Sequence, residues 1–187
     1  TGGFPVRLAR EKGLMLRANP WSEGDGLDLA LERGAAIAGD LDEFYGRAMP
    51  AVERLAEEDF VRLTQLYGRF ASVKSKDGCH SFEGKPSWSE TDLVQAIARW
   101  PGGLAWYTVD GEAMHEKVRE LYVGNMVSLA REAGAPVHIE GRRISVLVRA
   151  AVTQPLGGIR VDEHAWAADG LFVAGAMNCA VMRAAER

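Results

Sequence analysis

The sequence predicts an α+β or mixed α/β fold, with helices lying on a small sheet across roughly residues 40–148. Three observations predict it. Residues 104–110 (LAWYTVD) and 144–153 (ISVLVRAAVT) are rich in β-branched and aromatic side chains, which suit a pleated, half-buried surface. Residues 86–100 and 111–134 repeat apolar side chains at helical spacing. Residues 19–39 (NPWSEGDGLDLALERGAAIAG) join a Gly-rich loop to a short helix, and the rest of the chain reads as organised around them.

Taken in order, residues 5–12 predict a short helix and residues 14–16 a short strand. In the organising stretch, Ser22 and Asp25 offer side-chain oxygens to a helix start. Gly24 and Gly26 let the backbone turn and approach a neighbour closely. Leu27, Ala30 and Leu31 make the apolar face, and Gly34 fits a left-handed helix end. Such a loop suits an anion or polar cofactor, but a short Gly-Asp-Gly motif is weak, and on the residues alone an ordinary capped helix is the favoured reading. Residues 40–50 read as extended. Residues 70–73 predict a strand, Lys76-Asp77-Gly78 a turn, and residues 79–82 a returning arm. Ser87 or Ser89 would cap the helix that carries Thr91, Val94, Ile97 and Ala98. Residues 111–134 read as helix and 135–139 as strand. Residues 144–153 and 159–162 read as two arms around Gly157-Gly158, and residues 171–174 as a last strand ended by Gly175. A short helix closes the chain.

The composition allows one ordinary domain or two small ones: 187 residues, 47% of them apolar, with a net charge of −4. No basic block points to nucleic acid or an anionic membrane, and no apolar run approaches the roughly 20 residues of a membrane span. Cys79 and Cys179 stand far apart and read as isolated thiols of a reducing cytoplasm. His80, His115, His138 and His164 show no metal-ligand spacing, so no metal site is expected.

Four short motifs resemble, in order, the FAD-dependent oxidoreductases of the fumarate reductase/succinate dehydrogenase flavoprotein type. They are Thr1-Gly2-Gly3-Phe4, the Gly24-Asp25-Gly26-Leu27 helix start, Gly157-Gly158-Ile159 with Asp162-Glu163, and Gly170-Leu171-Phe172-Val173-Ala174-Gly175. The resemblance covers most of the chain and is weakest over residues 114–146. It implies FAD as cofactor and a hydride moved between flavin and a C–C bond next to a carbonyl or carboxylate. It implies a substrate cap domain over residues 40–148, flanked by partial FAD-domain segments over 1–39 and 149–187. The flavin contacts it implies are Thr1, Gly2, Gly3, Gly24, Asp25, Gly26, Gly157, Gly158 and Gly175. Gly157 and Gly158 are explained as well by turn geometry as by close approach to a planar ring.

For substrate, the resemblance implies Thr64 and Gln65, where the fumarate-reducing branch carries a Thr-Glu pair, and Gln154, near the place of a family histidine. Tyr45, Tyr67 and Tyr107 are candidate proton donors, with no one of them singled out. The departures are as informative. Met49 stands before Pro50 where a histidine is usual. Trp88 stands roughly where the family's proton-donating arginine lies, and an indole cannot deliver a proton. The family's GxGxxG fingerprint is missing, and the acidic residue expected after Gly175 is replaced by Ala176-Met177-Asn178. A small-molecule substrate is therefore expected, without an assignment of catalytic residue or oligomeric state. The competing reading is a non-catalytic remnant or binding module that keeps the cap fold.

Overall fold

The computed structural model describes residues 3–175. The expectations for Thr1, Gly2 and the closing helix, with Cys179, lie outside the described residues. In chain order the elements are α1 (Pro5–Lys12), β1 (Met15–Leu16), α2 (Asp25–Glu32), β2 (Ile37–Ala38), β3 (Phe44–Pro50), α3 (Asp59–Arg62) and β4 (Ser72–Ser75). Then come α4 (Thr91–Ala98), β5 (Leu104–Asp110), β6 (Lys117–Val118), β7 (Leu121–Tyr122), α5 (Val123–Glu132) and β8 (Val137–Glu140). The chain finishes with β9 (Arg143–Pro155), β10 (Gly158–Ile159), β11 (Trp166–Ala168) and β12 (Leu171–Phe172). Helices and a six-stranded sheet make this a mixed α/β chain, as the periodicities predict. It divides into two compact units. One comprises Thr1–Lys12, Ala18–Tyr45 and Val152–Arg187; the other comprises Gly13–Arg17 and Gly46–Ala151.

The Gly46–Ala151 unit is built on β9. Strands β5 and β8 pair with β9 antiparallel, β4 pairs antiparallel with β5, and β1 and β3 also pair with β9. Strand register explains the sequence alternation. Val73, Tyr107, Val146 and Val137 form one row across β4, β5, β9 and β8, and the first three of them are buried. The neighbouring row is Ser72, Thr108, Ser145 and His138, all polar, with the Thr108 and Ser145 hydroxyls 2.8 Å apart. A strand's two faces alternate with period two, so one row faces the core and the next faces away. Helix α4 packs against β5 and buries Leu93, Val94 and Ile97 completely. Each such side chain contributes about 1.5–3 kcal/mol by leaving water. Helix α5 buries Val123, Met126, Val127 and Ala130.

Three expectations change here. The helix predicted over 111–134 is a 3-10 turn at Gly111–His115, then the β6–β7 hairpin, then α5. The Asp110 carboxylate accepts from the Glu112 N–H at 3.1 Å and fixes the early turn. Arg119, at φ 54, makes the hairpin corner, where a continuous helix cannot pass. The strand predicted over 70–73 is shifted to Ser72–Ser75, because Gly68–Phe70 forms a 3-10 turn. Its returning arm is one bridge, Lys74 to Ser81, rather than a full strand. The helix over 86–100 is shorter, Thr91–Ala98, with Glu90 as its N-cap in the left-handed region (φ 55).

In the other unit, the α2 helix forms as predicted but starts differently. Its N-cap is Gly24 at φ 102, without a side-chain cap, and Asp25 is already the first helical residue. Gly34 ends the helix at φ 82, as its position predicts. Residues 144–153 and 159–162 do not close on each other. Instead β10 pairs antiparallel with β2, placing Gly158 opposite Ala38 and Ile159 opposite Ile37. The last strand is β12, a short partner of β11 in a two-stranded hairpin.

Candidate functional site

Of the sequence-predicted flavin contacts, Gly3, Gly24, Asp25, Gly26, Gly157, Gly158 and Gly175 fall among the described residues, all in one unit. What each glycine makes room for differs. A Cβ on Gly24 would lie 2.8 Å from the Phe4 Cβ and 3.1 Å from an Arg7 guanidinium nitrogen. That arginine grips Asp28 of α2 through two bonds of 3.0 and 2.6 Å. The pairing holds the Asp28 carboxyl below the usual aspartate range and the Arg7 guanidinium above its own. Gly24 thus lets α1 seat against the start of α2. A Cβ on Gly157 would lie 2.5 Å from the Asp40 carbonyl oxygen, 2.6 Å from its carbon and 2.8 Å from the Leu41 nitrogen. The space next to Gly157 is therefore filled by main chain. Gly175, at φ 83, has no atom of the described residues within 4 Å of where a Cβ would stand. In α2 the first intrahelical bond is Asp28 N–H to Gly24 O, which leaves the N–H groups of Asp25 and Gly26 ahead of the ladder.

The sequence-predicted substrate residues are divided between the units: Thr64 and Gln65 in one, Gln154 in the other. The Thr64 hydroxyl donates to the Phe60 carbonyl at 2.7 Å and accepts from Arg17 at 3.4 Å. Arg17 also donates to the Phe60 carbonyl at 2.9 Å and lies over the Phe60 ring. Gln65 is fully buried, and its amide donates to the carbonyls of Leu63 (2.8 Å) and Met126 (3.2 Å). Gln154 is half-buried. Of the tyrosines, Tyr45 is half-buried, whereas Tyr67 and Tyr107 are fully buried and meet edge to face at 5.4 Å. Trp88 is exposed, with the Arg119 guanidinium 4.6 Å from its ring centroid.

The densest electrostatic feature is a buried polar cluster between β3, β5, the Gly68–Phe70 turn and the start of α4. Glu90 is 1% exposed, and neither carboxylate oxygen has a hydrogen-bond partner among the described residues. The hydroxyls of Tyr67 and Tyr107 likewise lack one. Burial is the largest influence on Glu90 and pushes its pKa up to about 7. The backbone N–H groups of Arg69 and Gly68 face the carboxylate without closing to bonding geometry; they and the Arg69 and Arg47 guanidiniums pull the other way. Burial, then the Glu90 charge, raises both phenols well above their ordinary range, so both stay protonated. Arg47, itself 5% exposed, donates to the Ser89 carbonyl. A Cβ on Gly68 would overlap the Leu93 side chain and sit 3.2 Å from a Glu90 oxygen.

Sequence reasoning missed Glu90, Arg47 and Arg17. Arg17 carried no signal of its own. Glu90 reads from sequence as an exposed acid ahead of a helix, and only tertiary packing buries it. Arg47, between Gly46 and Ala48 in a segment with Phe44 and Met49, offered a cue: a lone cation inside an apolar strand needs a buried acceptor.

These features define a mixed α/β chain with a β9-centred sheet bearing helices in one unit and Gly-rich loops in the other. No protein-family model matches it, and no curated protein matches it significantly. Among solved structures it is similar to a flavocytochrome c3 fumarate reductase in its open conformation, with a TM-score of 0.54 and 20% identity. The match covers 97% of this chain and 40% of that one, so the chain spans well under half the length of that structure. At this identity the likeness is one of fold.

Proposed function

We propose that this chain belongs to a flavin-dependent oxidoreductase of the fumarate reductase/succinate dehydrogenase type. Its substrate would be a small molecule with a C–C bond next to a carbonyl or carboxylate. The observation that carries the reading is the fold likeness over 97% of the chain, arrived at independently of the four motifs that appear in family order. FAD, when bound, would supply the hydride chemistry. The chain's own part would be to hold the cofactor through the Asp25 and Gly26 N–H groups, Gly3 and Gly175; Thr64 and Gln154, each in its own unit, stay the candidate substrate contacts. Gly24 and Gly157 fit that role less well, because protein atoms take the room their missing Cβ leaves, and close packing of the chain accounts for both.

That poor fit favours the competing reading, a binding module that keeps the fold without flavin. One experiment separates them. The purified chain is mixed with FAD and passed through gel filtration while the visible spectrum is followed. A flavin band that travels with the protein, bleaches with dithionite and returns in air supports the oxidoreductase reading. A folded chain that elutes colourless overturns it for this polypeptide and leaves the binding module.

A further inference from the structure

Helix α4 begins on a side chain that is wrong for its place unless it is uncharged. Glu90 occupies the N-cap with φ 55, a left-handed conformation that is strained for a non-glycine residue. The cap has no side-chain hydrogen bond to α4; the carboxyl turns inward and is 1% exposed. Its surroundings come from four elements. Strand β3 brings Arg47, the Gly68–Phe70 turn brings the N–H groups and guanidinium of Arg69, and Tyr67 precedes that turn. Strand β5 brings Tyr107, and α4 itself brings Asp92, whose charge also bears on Tyr107. Outward of Glu90 the segment is polar: the Ser87 hydroxyl and N–H both bind the Asp92 carboxylate, at 2.6 Å and 2.9–3.0 Å. Trp88 is exposed, with the Arg119 guanidinium against its ring. The segment ahead of α4 is held to the rest of the unit by Arg47 on the Ser89 carbonyl, by Arg119 against the Trp88 ring and by the inward carboxyl.

We propose that Glu90 is a proton-operated latch. Uncharged, it keeps the Ser87–Glu90 segment and the first turn of α4 seated on Tyr67, Gly68 and Tyr107. Ionised, it draws water and lifts that segment, with Trp88, off the unit. As a neutral acid Glu90 brings no charge into a buried site whose two phenol hydroxyls, like its own carboxyl oxygens, have no hydrogen-bond partner among the described residues. As a carboxylate it is drawn on by the Gly68 and Arg69 N–H groups and the Arg69 and Arg47 guanidiniums, but none of its oxygens has a closed hydrogen bond, and burial, the larger influence, still disfavours the charge. The raised pKa of about 7 places the change near neutrality. In an opened segment Glu90 returns to its ordinary value of 4.5. Opening therefore binds fewer protons than the closed form between those two values and becomes easier as pH rises.

Hydrogen exchange of the full chain, read on peptides covering residues 83–98 and corrected for intrinsic rate, tests this. From pH 5.5 to 8.5 the opening equilibrium rises on the order of thirtyfold by that linkage. In Glu90→Gln, which cannot ionise, the same peptides keep a constant protection, while peptides of α5 are unchanged in both proteins. A parent profile flat across that range overturns the proposal, as does a Glu90→Gln profile that still rises. If the variant does not fold, carboxyl 13C titration of the Glu-labelled parent decides. One glutamate with a midpoint far above the others supports the latch; none between pH 5.5 and 8.5 overturns it.

Discussion

Replacing Gly157 by alanine separates two explanations of the Gly157-Gly158 pair. The added Cβ would stand 2.5 Å from the Asp40 carbonyl oxygen, 2.6 Å from its carbon and 2.8 Å from the Leu41 nitrogen. Those neighbours are main chain and cannot swing aside as a side chain would. Either they or residue 157 must move by roughly 1 Å to restore ordinary contact. Two cross-chain bonds flank the contact: Leu156 N–H to Glu43 O at 2.8 Å and Arg160 N–H to Ala36 O at 2.7 Å. Overpacking of this kind costs about 1–3 kcal/mol, and each distorted bond about 0.5–1.5 kcal/mol more. The expected loss is therefore roughly 2–6 kcal/mol, a large fraction of a typical domain's stability. Urea unfolding followed by circular dichroism measures it. Gly175→Ala is the control: its Cβ meets nothing among the described residues, which leaves the left-handed backbone penalty of about 1–2 kcal/mol. The reasoning is refuted if Gly157→Ala unfolds within about 0.5 kcal/mol of the parent. A Gly157→Ala protein that is stable but no longer holds FAD would assign the glycine to a ring instead.

Two further outcomes follow from the same geometry. Arg7→Ala should move the Asp28 titration upward toward ordinary aspartate, as followed by carboxyl 13C shifts. Because the Asp28 pKa is lowered in the fold, the pair helps stability above the unfolded-state pKa and loses that contribution as pH falls through the folded value. Gln65→Leu should destabilise the chain by roughly 2–4 kcal/mol in urea, since the Leu63 and Met126 carbonyls lose a buried donor. If Gln65 served only a substrate, stability would be unchanged and only turnover would suffer.

The parts of the fold that could be read in the sequence were those with strong local signals. The β-branched runs became β5 and β9, and Gly34 ends α2 because a left-handed helix end suits no other residue so well. What misled was chemistry that acts across the chain. The apolar spacing over residues 111–134 suits a helix, yet Asp110 caps an early turn and Arg119 turns a hairpin corner. Gly157-Gly158 reads as a turn between adjacent arms, but its partner is the Asp40–Leu41 main chain, far away in sequence. For the site, residue types were legible and their surroundings were not. Thr64 and Gln65 could be named from a motif; that Gln65 spends its amide on two carbonyls required coordinates. Glu90 had no motif at all, since burial of an acid is a property of its neighbours.

The arrangement around β9 also dictates an order of assembly. Its partners β1, β3, β5 and β8 all precede it, and β1 lies near the other end of the chain. Closing that β1 contact spans a loop of more than a hundred residues, and the entropy of such closure comes due before any pairing rewards it. A nascent chain halted short of residue 143 would hold β4 and β5 as a local pair while β1, β3 and β8 waited with open edges. Synthesis of the single strand β9 is then the event that turns collected pieces into a sheet, and the interval before it is when this chain is most exposed to aggregation.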